Sequence, residues 1–277
     1  MSKRSLYILI VSLNSGERLK QTLDSIFGQK FTDVTICIKD GGSSDGSLEN
    51  LISQGYFEGR DNVKIEVSPD KGIYDGMNQA VGMMQSLMED DSYGYCIFMN
   101  CGDTFRDDEV LLKAQEYLKQ YDNPRIVYGD QYNLIQKSVV SSAPEINDFT
   151  LFRNVPCHQV CFIDVRLFED RAYKTEYTVR ADYEHFLYSV YEKHADCEHI
   201  PVVICNYEGG GFSETKENRK KSAKQHRIIT DIYMPKKAAK YRAIMILTLA
   251  PLRTALAESD RFSGMYNLVK SFIYRKK

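Results

Sequence analysis

The sequence predicts an α/β protein: a mostly parallel sheet flanked by helices, followed by a basic amphipathic helical extension. Three observations carry that prediction. Short apolar runs rich in Ile, Val and Leu alternate with segments of helical periodicity through the first half of the chain. Several of these runs end in Asp, Asn or Ser with glycine close behind, residues that turn a strand into a loop. From Lys236 to Lys277 there are ten Lys or Arg against two acids, so a basic segment closes a chain whose total charge is only −2.

The elements follow in order. "LYILIVS" reads as a strand, and "GERLKQTLDSIFGQ" puts Leu19, Leu23, Ile26 and Phe27 on one helical face. "VTICIKD" is a second strand, "GSLENLISQ" a helix, "VKIEVS" a third strand and "YDGMNQAVGMMQSLM" a helix. "YCIFMN" is a fourth strand, "DEVLLKAQEYLKQY" a helix and "RIVYGD" a fifth strand. This alternation implies βαβ units and a parallel sheet. After Asp130 the rhythm loosens. "HQVCFID" and "HIPVVICNY" are strand candidates, "DYEHFLYSVYEKH" has a helical stripe, and "SETKENRKKSAKQHRIITDIY" reads as a polar helix.

At 277 residues the chain can bury a full core. Residues 1–234 are expected to form the folded domain, in halves 1–130 and 131–234, with 235–277 as the basic tail. The opening apolar run is too brief for a signal peptide, and no run reaches a membrane span of about 18 residues. Seven cysteines without a CxxC pair are expected as buried free thiols in a reducing cytoplasm. The basic tail suits an anionic membrane surface at the inner face of the plasma membrane, or packing on the domain or on a second subunit. No nucleic-acid-binding module accompanies it.

Three successive strands end in acid-bearing loops, at Asp40, Asp70 and Asp103. In a parallel sheet those ends share one edge, where ligands bind. Asp40 in "IKDGGSSDGS" can accept from a ring N–H or a ribose hydroxyl, or close an Asx turn. Asp70 and Lys71 bring charge to the same edge, and Asp75 and Asn78 share the opening turn of the next helix. Asp103 either holds something or caps the next helix. Crowded acids repel unless a cation compensates, and Mg²⁺ or Mn²⁺ favours carboxylate, water and phosphate oxygens. Neither a G-x-G-x-x-G fingerprint nor a P-loop is present.

"DGGSSDGS", "SPDKGIYDGMNQAV" and "FMNCGD", with "CHQVCF", "RADYEHFL" and "EGGGFSET" downstream, lie in matching order from about Leu6 to Thr230. Together they resemble the family 2 nucleotide-sugar glycosyltransferases, closest to the bacterial branch that builds capsule and exopolysaccharide repeats. The resemblance implies a GT-A fold, a nucleoside-diphosphate sugar donor, inverting transfer and a glycan or lipid-linked sugar acceptor. It implies that Asp40 and Asp70 contact the nucleoside, with Asn14 closing the pocket and Lys71 and Asn78 in the same set. Asp103 matches the last acid of the metal-binding motif; Asn100 and Gly102 stand where further acids can stand, leaving one direct carboxylate for Mn²⁺ or Mg²⁺.

Asp182 matches the general base, against an alternative as helix N-cap and with Glu184 as neighbouring competitor. His158 and Gln159 are candidates for the acceptor or the diphosphate, or for structure. Gly210, Gly211 and Ser213 are candidates to wrap phosphate, or form a flexible loop. The remaining alternatives are a catalytically inactive nucleotide-sugar or glycan-binding subunit and a sugar-nucleotide pyrophosphorylase. The latter requires a Gly-rich, Arg-bearing loop where this chain has "SLNSGERL".

Overall fold

The computed structural model describes residues 4–88, 93–209 and 215–247. The chain divides into two compact units, Met1–Ile229 and Thr230–Lys277. Most of the expected basic tail, 248–277, lies outside the described residues.

In the first unit β1 (Arg4–Ser12), β2 (Thr35–Asp40), β3 (Val63–Val67) and β4 (Tyr93–Asn100) alternate with α1 (Glu17–Phe27), α2 (Ser47–Ser53) and α3 (Ile73–Ser86). They pair in parallel in the order β3-β2-β1-β4. Ile8, Leu9 and Ile10 of β1, Ile36, Cys37 and Ile38 of β2 and Cys96 to Met99 of β4 are essentially inaccessible. That is why these strands read as continuous apolar runs instead of alternating ones. α1 buries Leu19, Leu23 and Ile26, together with Thr22.

The sheet then becomes mixed. β5 (Thr104–Phe105), α4 (Val110–Ala114), β6 (Arg125–Asn133), β7 (Ser138–Val140), α5 (Asp148–Arg153), β8 (Cys161–Asp164), α6 (Ala181–Tyr191) and β9 (Asp196–Tyr207) complete the first unit with the start of α7 (Lys216–Tyr233). β8 joins β4 and β6 by short antiparallel registers, while β6 and β9 run parallel over a long one. The longer registers are the parallel ones, so the sheet is mostly parallel and flanked by helices, as expected. α4 is shorter than its periodicity suggests. Beyond Ala114 the backbone tightens into i→i+3 bonds, Tyr117 N to Ala114 O and Leu118 N to Gln115 O.

Parallel pairing puts the ends of β1, β2, β3 and β4 on one edge, and the loops bearing Asn14, Asp40, Asp70 and Asp103 leave from there. All seven cysteines are free thiols. In the second unit α8 (Pro235–Leu247) carries Lys236, Lys237, Lys240 and Arg242 and no acid. No helix among the described residues is long and apolar enough to cross a membrane.

Candidate active site

A cleft of about 1070 Å³ opens at this edge. Asn14, Asp70, Lys71, Asp103, His158, Gln159 and Asp182 all line it, so residues up to 168 positions apart in the chain meet in one space.

The wall under β1–β3 is held by its own acids. Asp40, 1% exposed, accepts from Gly42 N (2.9 Å), Ser43 N (2.6 Å) and Ser43 Oγ (2.8 Å). It closes the turn after β2 and is not among the cleft-lining residues. Asn14, with φ at 49°, accepts at Oδ1 from Ser44 N (2.8 Å) and so ties the β1 loop to the same turn. The Asp70 carboxylate is wedged between two backbones. A Cβ on Gly41 would lie 2.5 Å from Asp70 Oδ2, and one on Gly76 would lie 3.3 Å from it. Lys39, fully buried, donates to Asp40 O (2.9 Å) and Ser68 O (2.6 Å), 3.9 Å from Asp70 Oδ2. A buried ammonium beside a buried carboxylate offsets a desolvation cost that either would meet alone. Asn78 bonds the backbone of Tyr173 in both directions, at 2.8 Å each way, and does not line the cleft.

The opposite wall carries the reactive groups. Asp182 lies in the first turn of α6; the N-cap position belongs to Arg180. Its Oδ1 accepts from Tyr74 Oη (2.8 Å) and Tyr183 N (2.8 Å), and its Oδ2 lies 3.3 Å from His158 Nδ1. Burial pushes the Asp182 carboxyl up, but the His158 hydrogen bond and charge and the Tyr74 and Tyr183 bonds outweigh it, so the net is below the usual carboxylate range. His158 reaches on through Nε2 to Asn100 Oδ1 at 3.3 Å, linking Asp182 to the end of β4. Glu184 points elsewhere, into a fork from Arg171 (2.9 and 3.0 Å) and Lys174 (3.3 Å). That leaves Asp182 as the carboxylate facing the cleft from α6.

Asp103 is 4% exposed. Its Oδ2 accepts from Gln159 Nε2 (2.8 Å) and its Oδ1 from Glu208 N (2.8 Å). Burial raises its affinity for a proton; the Glu208 amide, the Gln159 amide and the His158 charge oppose this. Thr22 braces the turn, accepting from Gly102 N (2.9 Å) and donating to Asp103 O (2.7 Å). One accepted bond per oxygen leaves Asp103 a lone pair on each, and cleft-facing carboxylate oxygen is what a hard cation takes. No group of three or more His, Cys, Asp or Glu able to hold a metal ion occurs among the described residues, so such an ion would need phosphate and water to complete its shell.

Sequence reasoning missed Thr22, Arg18 and Glu208, whose partners lie about 80 to 190 positions away. Tyr74 sits inside the "GIYDG" block but shows its importance only once Asp182 is placed beside it. Gly210, Gly211 and Ser213 lie outside the described residues. Lys221 lines the cleft and pairs with Glu217 at 2.8 Å.

Residues 7–164 match the protein family described as "Glycosyl transferase family 2". The chain is similar to the "PGL/p-HBAD biosynthesis glycosyltransferase" of Mycobacterium bovis (strain BCG / Pasteur 1173P2), 26% identical over 212 residues, 75% of this chain and 78% of that protein. Among solved structures it resembles S. aureus TarS 1-349 in complex with UDP-GlcNAc, with a TM-score of 0.64 at 13% identity, covering 92% of this chain and 73% of that one. It also resembles the mannosyltransferase PcManGT from Pyrobaculum calidifontis in complex with GDP-Man and Mn²⁺, with a TM-score of 0.61 at 12% identity, covering 98% and 88%. Identities this low speak to the fold.

Proposed function

The chain belongs to glycosyl transferase family 2, and we propose that it moves a sugar, with inversion, from a nucleoside-diphosphate sugar to a hydroxyl of a lipid-linked glycan. The observation that carries this is a single cleft lined by both Asp103 and Asp182, with His158 reaching from Asp182 to Asn100 at the end of β4. Asn14, Asp70 and Lys71 would seat the nucleoside. Asp40 would act one step back, by fixing the turn on which that pocket stands.

Inversion at the anomeric carbon is a single displacement. The acceptor hydroxyl attacks from the face opposite the leaving diphosphate, and one carboxylate must take its proton. Asp182 is suited to be that carboxylate, because it is ionised at neutral pH, oriented by Tyr74 and His158, and open to the cleft. Asp103, held by Gln159 and Glu208 N, would hold Mn²⁺ or Mg²⁺. When bound, such an ion neutralises the departing diphosphate. Lys71 and Arg18 add positive charge to the cleft.

Two supports favour a lipid-linked acceptor at a membrane surface. The mycobacterial relative is described as a "PGL/p-HBAD biosynthesis glycosyltransferase", and α8 is basic and without acids. A second reading, a binding subunit without chemistry, draws on the low acid count at "NCGD". Incubation with UDP- and GDP-sugars, Mn²⁺ and a lipid-linked glycan acceptor separates the two. Release of nucleoside diphosphate, and an anomeric configuration opposite to the donor's by NMR, is the expected result. Tight donor binding without any release would make the protein a binder.

A further inference from the structure

We propose that Glu208 is the second carboxylate of the cation site, beside Asp103, and that Arg18 holds it until a diphosphate takes over the guanidinium. This builds on Asp103 as the metal residue proposed above. Asp103 is a thin anchor by itself: it brings one negative charge against a divalent ion's two, and each of its oxygens already accepts a hydrogen bond. Another carboxylate would strengthen the site considerably.

Glu208 is built into the same spot. Its own N–H donates to Asp103 Oδ1 at 2.8 Å, so its side chain departs from directly beside the Asp103 carboxylate. It then folds over Gly102. A Cβ on Gly102 would collide with Glu208 Oε2 and come within 3.0 Å of its Cδ, and Gly102 has φ at 102°, where a side chain would be strained. The space that a side chain at 102 would fill is therefore taken by a carboxylate arriving from the end of β9, 106 positions later.

Arg18 supplies the counter-charge in the cation's absence. Its Nε lies 3.4 Å from Glu208 Oε1, its Cδ would lie 3.4 Å from a Cβ at 102, and both side chains line the cleft. The pair is half-exposed, at 60% and 39% of the side-chain surface, so it is weakly held and readily exchanged. A guanidinium released from a carboxylate is well shaped to take two phosphate oxygens. Loading the site would thus swap one ion pair for two: Glu208 with the cation, and Arg18 with the diphosphate.

Mn²⁺ titrations followed by EPR, alone and with UDP or GDP, test this in the full chain. Glu208→Gln is expected to weaken Mn²⁺ binding in the presence of nucleotide at least tenfold, with an unchanged melting temperature. Glu208→Asp, which keeps the charge, should lose less; it also serves as the readout if Glu208→Gln lowers the melting temperature. Arg18→Gln should weaken nucleotide binding while leaving the binding of Mn²⁺ alone intact or tighter. If Glu208→Gln and Glu208→Asp keep the wild-type Mn²⁺ affinity while Asp103→Asn loses it, Glu208 is no ligand and the Asp103 assignment stands. If the wild-type chain binds no Mn²⁺ with either nucleotide, the Asp103 assignment fails and this proposal falls with it.

Discussion

The two walls of the cleft use their polar groups differently. Under β1–β3, Asp40 accepts three hydrogen bonds of 2.6–2.9 Å, Lys39 donates two of 2.6 and 2.9 Å, and Asp70 is clamped between the backbones of Gly41 and Gly76. Around Asp182 and Asp103 several contacts are longer: 3.3 Å on either side of His158, and 3.4 Å between Arg18 and Glu208. The first wall is finished before any ligand arrives. The second keeps bonds that can be traded. A rigid platform for the constant part of a donor, facing adjustable groups at the reacting bond, is an effective division, because preorganised binding lowers the entropic cost of positioning.

Breaking the adjustable wall should cost most. Asp182→Asn keeps the shape but removes the proton acceptor, and turnover is expected to fall about 10³-fold while donor affinity stays within a factor of two. Breaking the rigid wall should cost stability and donor affinity together. Gly41→Ala sets a Cβ 2.5 Å from Asp70 Oδ2 and should destabilise the fold by about 1–3 kcal/mol by denaturant titration. The same change should raise the donor Kd severalfold and leave kcat nearly untouched.

His158→Ala sharpens the contrast through pH. Asp182 is held below the usual carboxylate range against its burial chiefly by the His158 bond and charge. Removing both should raise its pKa, and a base must be ionised to act. The acidic limb of kcat/KM is therefore expected to move to higher pH, with a smaller effect at alkaline pH. An unmoved limb would mean that His158 does not tune the base. The smallest effect belongs to Asn78→Ala, which removes two bonds to the Tyr173 backbone from a residue that does not line the cleft. It should cost about 1–2 kcal/mol of stability with kinetics unchanged.

The rigid wall was largely legible in the sequence, and the adjustable one only in part. Ile- and Val-rich runs ending at Asp40, Val67 and Asn100 announce buried parallel strands, and parallel strands force their loops to one edge. The motifs named Asp182 and His158, yet nothing local says that Asp182 Oδ2 and His158 Nδ1 face each other. Roles were harder to read than positions. Asp40 and Asn78 do not line the cleft; Asp40 is bonded to Gly42 and Ser43, and Asn78 to the backbone of Tyr173. Glu208 was hidden for the opposite reason. Its importance comes from the side-chain space at Gly102 that its carboxylate fills, which is a tertiary fact.

A crystal structure with UDP or GDP and Mn²⁺ bound is the most direct test of the central claim, that donor and base share this one cleft. The nucleoside is expected beside Asn14 and Asp70, the diphosphate at Asp103, and Asp182 facing the side from which an acceptor enters. A nucleotide bound outside the cleft, or Asp182 on the same side as the diphosphate, would contradict it.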